Sequence, residues 1–86
     1  MNRYQLTAEN IKEVTTSELA KMYYPAKQDK AFSLGCLNNA LRMDISDRKL
    51  ENAKKSYQQI KDIVKMISDE LVSRGVKTVS KNGEYC

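Results

Sequence analysis

Apolar residues along this chain recur at intervals of three and four for most of its length, which is the spacing of one face of an α-helix. The longest such run occupies the second half of the sequence and consists of Leu50, Ala53, Tyr57, Ile60, Val64, Ile67 and Leu71. Strict apolar–polar alternation, which is typical of strands, is almost absent. The pattern therefore predicts an all-α fold, a three- or four-helix bundle with a long C-terminal helix.

Capping residues mark both ends of the long helix. Ser46 is a favourable N-cap, and Ile45 before it and Leu50 after it have the spacing of a hydrophobic staple. Gly75 stands where a helix commonly ends on a left-handed glycine in a Schellman motif. These signals predict one continuous helix over residues 47–74.

The first half of the chain predicts shorter helices. Thr15 opens a T-x-x-E capping box, so either one helix covers residues 8–24 or two short helices meet at Thr15. Pro25 is expected to end this segment, because the residue before a proline is disfavoured in the α region. Asp29 would then cap a separate helix over residues 30–43.

Length sets the number of domains. A chain of 86 residues forms one domain at most, and so small a domain buries a limited share of its surface. We expect residues 1–76 to form a single helical domain. Residues 77–86 carry a turn signal at Asn82–Gly83 but no evident pairing strand, and we expect a loosely ordered tail.

Composition narrows the chemistry. The chain has no histidine, which excludes an imidazole base or metal ligand, and neither of its two cysteines lies in a C-x-x-C pair. We therefore expect no enzymatic activity, no metal and no cofactor. No apolar run is long enough for a membrane span, and residues 1–10 lack the apolar core of a signal peptide, so a cytoplasmic protein is expected.

An E-L-A-x-x-Y-x-P motif, which runs from Glu18 to Pro25, lies within residues 14–41. It resembles the first helix of many bacterial helix-turn-helix domains, and especially a family of short uncharacterised bacterial proteins that share this run. The resemblance implies binding to double-stranded DNA, with the helix after the connector entering the major groove. The residues presented to DNA would be Gln28, Lys30, Ser33, Asn38 (or Asn39) and Arg42. The alternative is that the same stretch is simply two helices packing together.

A second set of cations lies on the long helix. Lys54, Lys61 and Lys65 fall on one outward face at helical spacing, and a chain with 15 Lys and Arg against 11 Asp and Glu has a net charge of +4. Such cations could follow a phosphate backbone. Alternatively they form an ordinary solvated face, since Lys65 stands four residues before Asp69.

The predicted long helix is longer than its predicted neighbours can cover. Two short helices would reach Leu50 but leave apolar residues near the C-terminal end without cover, and this predicts a homodimer or a partner protein docked there. The residues expected at that interface are Ile63, Val64, Met66, Ile67 and Leu71.

Two functional hypotheses follow from these features. The first is a small DNA-binding regulatory or accessory protein of helix-turn-helix type, dimeric through the long helix. The alternative is a helical protein–protein interaction module, an adaptor or inhibitor, that binds a partner through an apolar helical surface.

Overall fold

Two long helices form the body of the protein. A computed structural model describes residues 2–43 and 46–86, with α1 over Thr16–Arg42 and α2 over Asp47–Ser73, 27 residues each. The start of α1 lies beside the end of α2, where the Arg74 guanidinium donates to the Thr16 hydroxyl at 3.1 Å. The helices therefore form an antiparallel hairpin, and the molecule measures 45 × 25 × 18 Å.

The all-α expectation is confirmed, but the expected bundle of three or four helices is not. Only two α-helices occur in the described chain, because Pro25 lies inside α1 instead of ending it. A proline costs about 3 kcal/mol in a helix interior, since it removes the N–H that would bond to the carbonyl of Lys21. Fully buried Leu19 and Ala26 pack on either side of this position, and their burial favours a continuous helix.

Asp29 has a different role from the predicted one. It lies within α1, and its carboxylate accepts hydrogen bonds from the Arg3 guanidinium and from the Tyr4 hydroxyl, the latter at 2.9 Å. The expected connector at residues 25–29 is therefore helical. Asp29 ties the N-terminal segment to α1 instead of capping a new helix.

Thr15 is the N-cap of α1. Its backbone is extended, and its hydroxyl accepts the Glu18 N–H at 3.2 Å, which is one of the two hydrogen bonds of the predicted capping box. Before it the chain forms two short 3-10 turns, Arg3–Gln5 and Asn10–Glu13, so the chain does break at Thr15, but the α-helix predicted to begin at residue 8 is not formed.

The predicted ends of α2 are confirmed. The Ser46 hydroxyl accepts the Lys49 N–H at 3.4 Å. At the other end Gly75 has φ +84°, and the Val76 N–H donates to the Leu71 carbonyl at 3.0 Å, which is the 6→1 bond of a Schellman motif. The staple predicted at Ile45 lies outside the described residues.

The hydrophobic core lies at one end of the hairpin, here called the core end: the N-terminal segment, residues 16–26 of α1 and residues 60–71 of α2. Its buried cluster consists of Leu6, Ile11, Val14, Leu19, Ala26, Ile60, Ile63, Val64, Ile67 and Leu71. The N-terminal segment supplies the first three of these residues, and it covers the flank of α2 that a two-helix contact alone would leave exposed.

The core corrects the predicted interface. Ile63, Val64, Ile67 and Leu71 were expected to remain uncovered, yet each is at most 9% exposed, and Met66 packs partly buried against them. The physical reason is that the chain before Thr16 folds back over this end. These residues stabilise the single chain and are not available to a second one.

The C-terminal residues also differ from expectation, because they form a small hairpin. Val79 pairs with Tyr85 in an antiparallel bridge, and the Ser80 N–H donates to the Glu84 carbonyl at 2.7 Å. Gly83 has φ +86°, and a Cβ there would lie 3.1 Å from the Cα of Lys21. A glycine at this position therefore lets the hairpin pack directly on α1.

Candidate protein-docking surface

The end of the hairpin opposite the core is built from two helices only. This distal end comprises residues 31–43 and 46–57, and no side chain described there is fully buried. Its seam residues Leu37, Leu50 and Tyr57 are only partly buried, although they continue the same apolar spacing as the core. The two helices therefore contact each other along this seam, but no third element of the described chain buries it.

Large apolar side chains lie in solvent beside this seam. Together they make up what we call the distal α1 face: Phe32 (74% exposed), Leu34 (39%), Leu41 (59%) and Met43 (66%). At about 100° per residue, Phe32 and Met43 lie on one side of α1 and Leu34 and Leu41 on the opposite side, so the apolar side chains flank the seam in two pairs. Single exposed apolar residues are common on protein surfaces, whereas grouped ones typically mark interaction sites.

Charge separates α1 from α2 at the distal end. The longest stretch without a charged side chain in the sequence is residues 31–41, between Lys30 and Arg42. The facing part of α2 carries Arg48, Lys49 and Lys54, all exposed. A helix in water normally has charges on its outer side, as α2 does. The uncharged surface of α1 is therefore suited to burial against another polypeptide.

A groove beside Phe32 adds shape to this surface. It encloses about 420 Å³ between the helices, and its described lining is uncharged: Tyr4, Phe32, Ser33, Cys36, Asn52, Ala53 and Ser56. The N-terminal segment packs on the helices at the core end, and it contributes Tyr4 to the lining of the groove. At the core end, apolar side chains of the N-terminal segment cover the two helices, whereas at the distal end the groove between the helices is open.

Tyr4 closes one end of the groove as a fixed hydrogen-bond donor. Burial, followed by its hydrogen bond to the Asp29 carboxylate, raises the pKa of the Tyr4 phenol above its ordinary value. A tyrosine phenol is protonated at neutral pH in any case, and the raised pKa widens the pH range in which it donates to Asp29.

The residues that the resemblance assigned to DNA reading are not presented as expected. Gln28, Lys30, Ser33, Asn38 and Arg42 all lie within the continuous helix α1, so no turn separates a first helix from a reading helix. Lys30 and Ser33 are partly buried, whereas the other three are exposed. Gln28 and Asn38 lie inside α1 and Arg42 is its last residue, so none of the three lies near the N-terminus of a helix, where the resemblance would place a base-contacting residue.

The cations of α2 are placed as predicted, on its exposed outer side. Lys54 and Lys61 have no ion-pair partner among residues 2–43 and 46–86. Lys65 is paired with Asp69 at 3.1 Å. Among the described residues, Lys54 and Lys61 are thus the two cations of this face without an ion pair, and they lie on the other helix from the uncharged stretch of α1.

Comparisons with protein-family models, curated proteins and solved structures find no match. Within the described ranges, neither α-helix combines length and apolar composition in the way that crossing a bilayer requires. No group of three or more potential metal-ligating side chains comes together in the same part of the chain. A functional assignment therefore rests on the exposure, charge and shape of the distal end.

The distal α1 face is difficult to recognise in the sequence, because Leu34 and Leu41 have helical spacing with Leu37 and so look like part of a buried stripe. The signal that could have identified the face is the absence of charge over residues 31–41, since a helix with only one buried side usually carries charges on the other.

Proposed function

We propose that this protein is a non-catalytic helical interaction module that docks another polypeptide on the distal α1 face. The observation that supports this function is that four large apolar side chains are exposed at the end of the hairpin where α1 has its one long uncharged stretch. The core end provides a stable base, and the distal end presents two helices whose shared seam lacks a third layer.

The occupant that fits best is a second copy of this chain. Two helical hairpins that face each other form a four-helix arrangement, which is a common way to cover an open two-helix seam. Residues 31–41 of α1 carry no charge, so pairing through this stretch brings no like charges of α1 into direct opposition. Gly35 is within this face, and a Cβ there would meet no atom of the same chain within 4 Å. Glycine weakens a helix, and the close approach of another helix at this position would account for its presence.

The available surface predicts a weak dimer. Burying one large apolar side chain contributes about 1.5–3 kcal/mol, and four such residues are exposed on each copy. Loss of translational and rotational freedom offsets much of this gain. The face spans three helical turns and gives less than the roughly 800 Å² per partner of a standard interface, so dissociation constants of about 10–1,000 μM are expected.

Sedimentation equilibrium tests this function directly. The unaltered protein is expected to shift from monomer to dimer over that concentration range, and Phe32→Glu should weaken association at least tenfold, because it places a carboxylate in the apolar contact. Val72→Glu is the matched control, since Val72 is 69% exposed at the core end. A protein that stays monomeric at millimolar concentration, or two variants that weaken association equally, would exclude self-docking through this face.

DNA binding is a second candidate, supported by exposed Lys54 and Lys61 on α2 without ion-pair partners in the described chain. We propose it in a phosphate-contacting form, without a reading helix. Affinity for random duplex DNA should then fall steeply between 50 and 200 mM salt, and Lys54→Gln with Lys61→Gln should reduce that dependence. Lys12→Gln, remote on the N-terminal segment, is the control. Absence of binding at 50 mM salt would exclude this candidate.

A further inference from the structure

A second cavity lies at the core end, on the side of the hairpin away from the N-terminal segment. It encloses about 300 Å³, and three parts of the chain line it: α1, the last turns of α2 and the C-terminal segment. Its floor is the core, because Leu71 is buried and Val76 and Val79 pack against the buried cluster. The cleft therefore exists only because the C-terminal hairpin is docked on α1.

Two lysines supply the charge of this cleft. The Lys27 ammonium lies 5.2 Å from the ring centroid of Tyr23 and 5.4 Å from that of Tyr24, so the rings hold the cation in place. Lys77 enters the lining from the C-terminal segment. None of the described lining residues is acidic, and neither lysine has an ion-pair partner within the described part of the chain.

The rest of the lining combines hydroxyl groups with an apolar wall. Ser68 and Thr78 offer donors on the α2 side and on the C-terminal segment. Val72 remains 69% exposed at the mouth, so a ligand that covered it would gain apolar contact. Cations, hydroxyl donors and an apolar wall in one concave site match a ligand with an anionic group on an apolar body.

We propose that this cleft binds a small organic carboxylate that carries an aromatic or branched apolar group. The carboxylate lies between Lys27 and Lys77 and accepts from the neighbouring hydroxyls, while the apolar group covers Val72. A volume of about 300 Å³ is at the lower end of the range for small-molecule sites, so the ligand is a small one. Either a free aromatic acid or the C-terminal residue of a polypeptide has this chemistry.

Amide chemical shifts of the ¹⁵N-labelled full chain test the site with phenylacetate, a ten-atom probe, against its neutral counterpart phenylacetamide. Phenylacetate is expected to shift the amides of Tyr24, Val72 and Thr78 saturably at millimolar concentration, with at least tenfold weaker binding of phenylacetamide. The double variant Lys27→Gln, Lys77→Gln should lose the discrimination between the two probes. The matched control Lys54→Gln, Lys61→Gln should retain it.

A second arm separates the two sources of the ligand. A hexapeptide ending in phenylalanine, with a free or an amidated C-terminus, is titrated in the same way, and tighter binding of the free form than of phenylacetate assigns the cleft to polypeptide termini. Equal or weaker binding of the peptide assigns it to free acids. Equal shifts by phenylacetate and phenylacetamide, or no saturable shifts by either phenylacetate or the peptide, would overturn the proposal.

Discussion

Ile67→Asp is expected to unfold the protein, whereas Leu50→Asp leaves it folded. Ile67 is 0% exposed at the centre of the buried cluster. A carboxylate there loses the apolar transfer energy of isoleucine, about 1.5–3 kcal/mol, and adds the larger cost of an unpaired buried charge. The sum reaches the roughly 5 kcal/mol that holds a small domain together.

Leu50 is in a different environment, although it belongs to the same apolar repeat. It is only partly buried at the distal end, and it lies in the first turns of α2, where a carboxylate interacts favourably with the helix dipole. We expect Leu50→Asp to cost about 1–2 kcal/mol. Urea unfolding, monitored by far-UV circular dichroism, measures the loss of stability in both variants. Ile67→Val, which should cost about 0.5–1.5 kcal/mol, is the control for mild core damage. Equal destabilisation by the two Asp variants would show that the distal seam is covered as well as the core.

Arg74→Ala is expected to lower the free energy of unfolding by about 2–4 kcal/mol, more than truncation of any other partly exposed charged side chain. The guanidinium joins three parts of the chain: it donates to the Glu70 carboxylate, to the Thr16 hydroxyl and to the Ile11 carbonyl, each at 3.1 Å. The Glu70 side chain is only 13% exposed, so the variant removes the nearest cation from a largely buried carboxylate.

Two control variants separate the geometry of Arg74 from its charge. Arg74→Lys keeps the charge but lacks the planar fork, and it should recover less than half of the loss. Lys65→Ala removes an i,i+4 pair in which the lysine side chain is 77% exposed, and it should change stability by no more than about 0.5 kcal/mol. Similar losses for Arg74→Ala and Lys65→Ala in urea unfolding would mean that the N-terminal segment is not held by this contact.

Local signals in the sequence predicted local structure well. The Thr15 and Ser46 caps and the Gly75 terminus depend on hydrogen bonds within five residues, so their spacing alone identifies them. Pro25 was misjudged because its intrinsic preference is also local, whereas the packing of Leu19 and Ala26 that overrides it is not.

The candidate site depended on long-range contacts and was therefore harder to predict. Ile67 and Phe32 are both apolar residues at helical spacing, and only the path of the N-terminal segment decides which is covered. That segment forms 3-10 turns of three and four residues, which are too short to display an apolar period that would show where they pack. The feature of the site that is visible in the sequence is the absence of charged residues over positions 31–41.

Intermolecular contacts on the distal α1 face are the most direct test of the proposed function. A millimolar sample that mixes ¹³C-labelled with unlabelled protein allows isotope-filtered nuclear Overhauser spectra to detect protons of one copy near those of another. We predict such contacts from the Phe32 ring to Leu41 or Met43 of a second copy, and their loss in Phe32→Glu. Contacts confined to the core end, or none under these conditions, would contradict a function based on self-docking through α1.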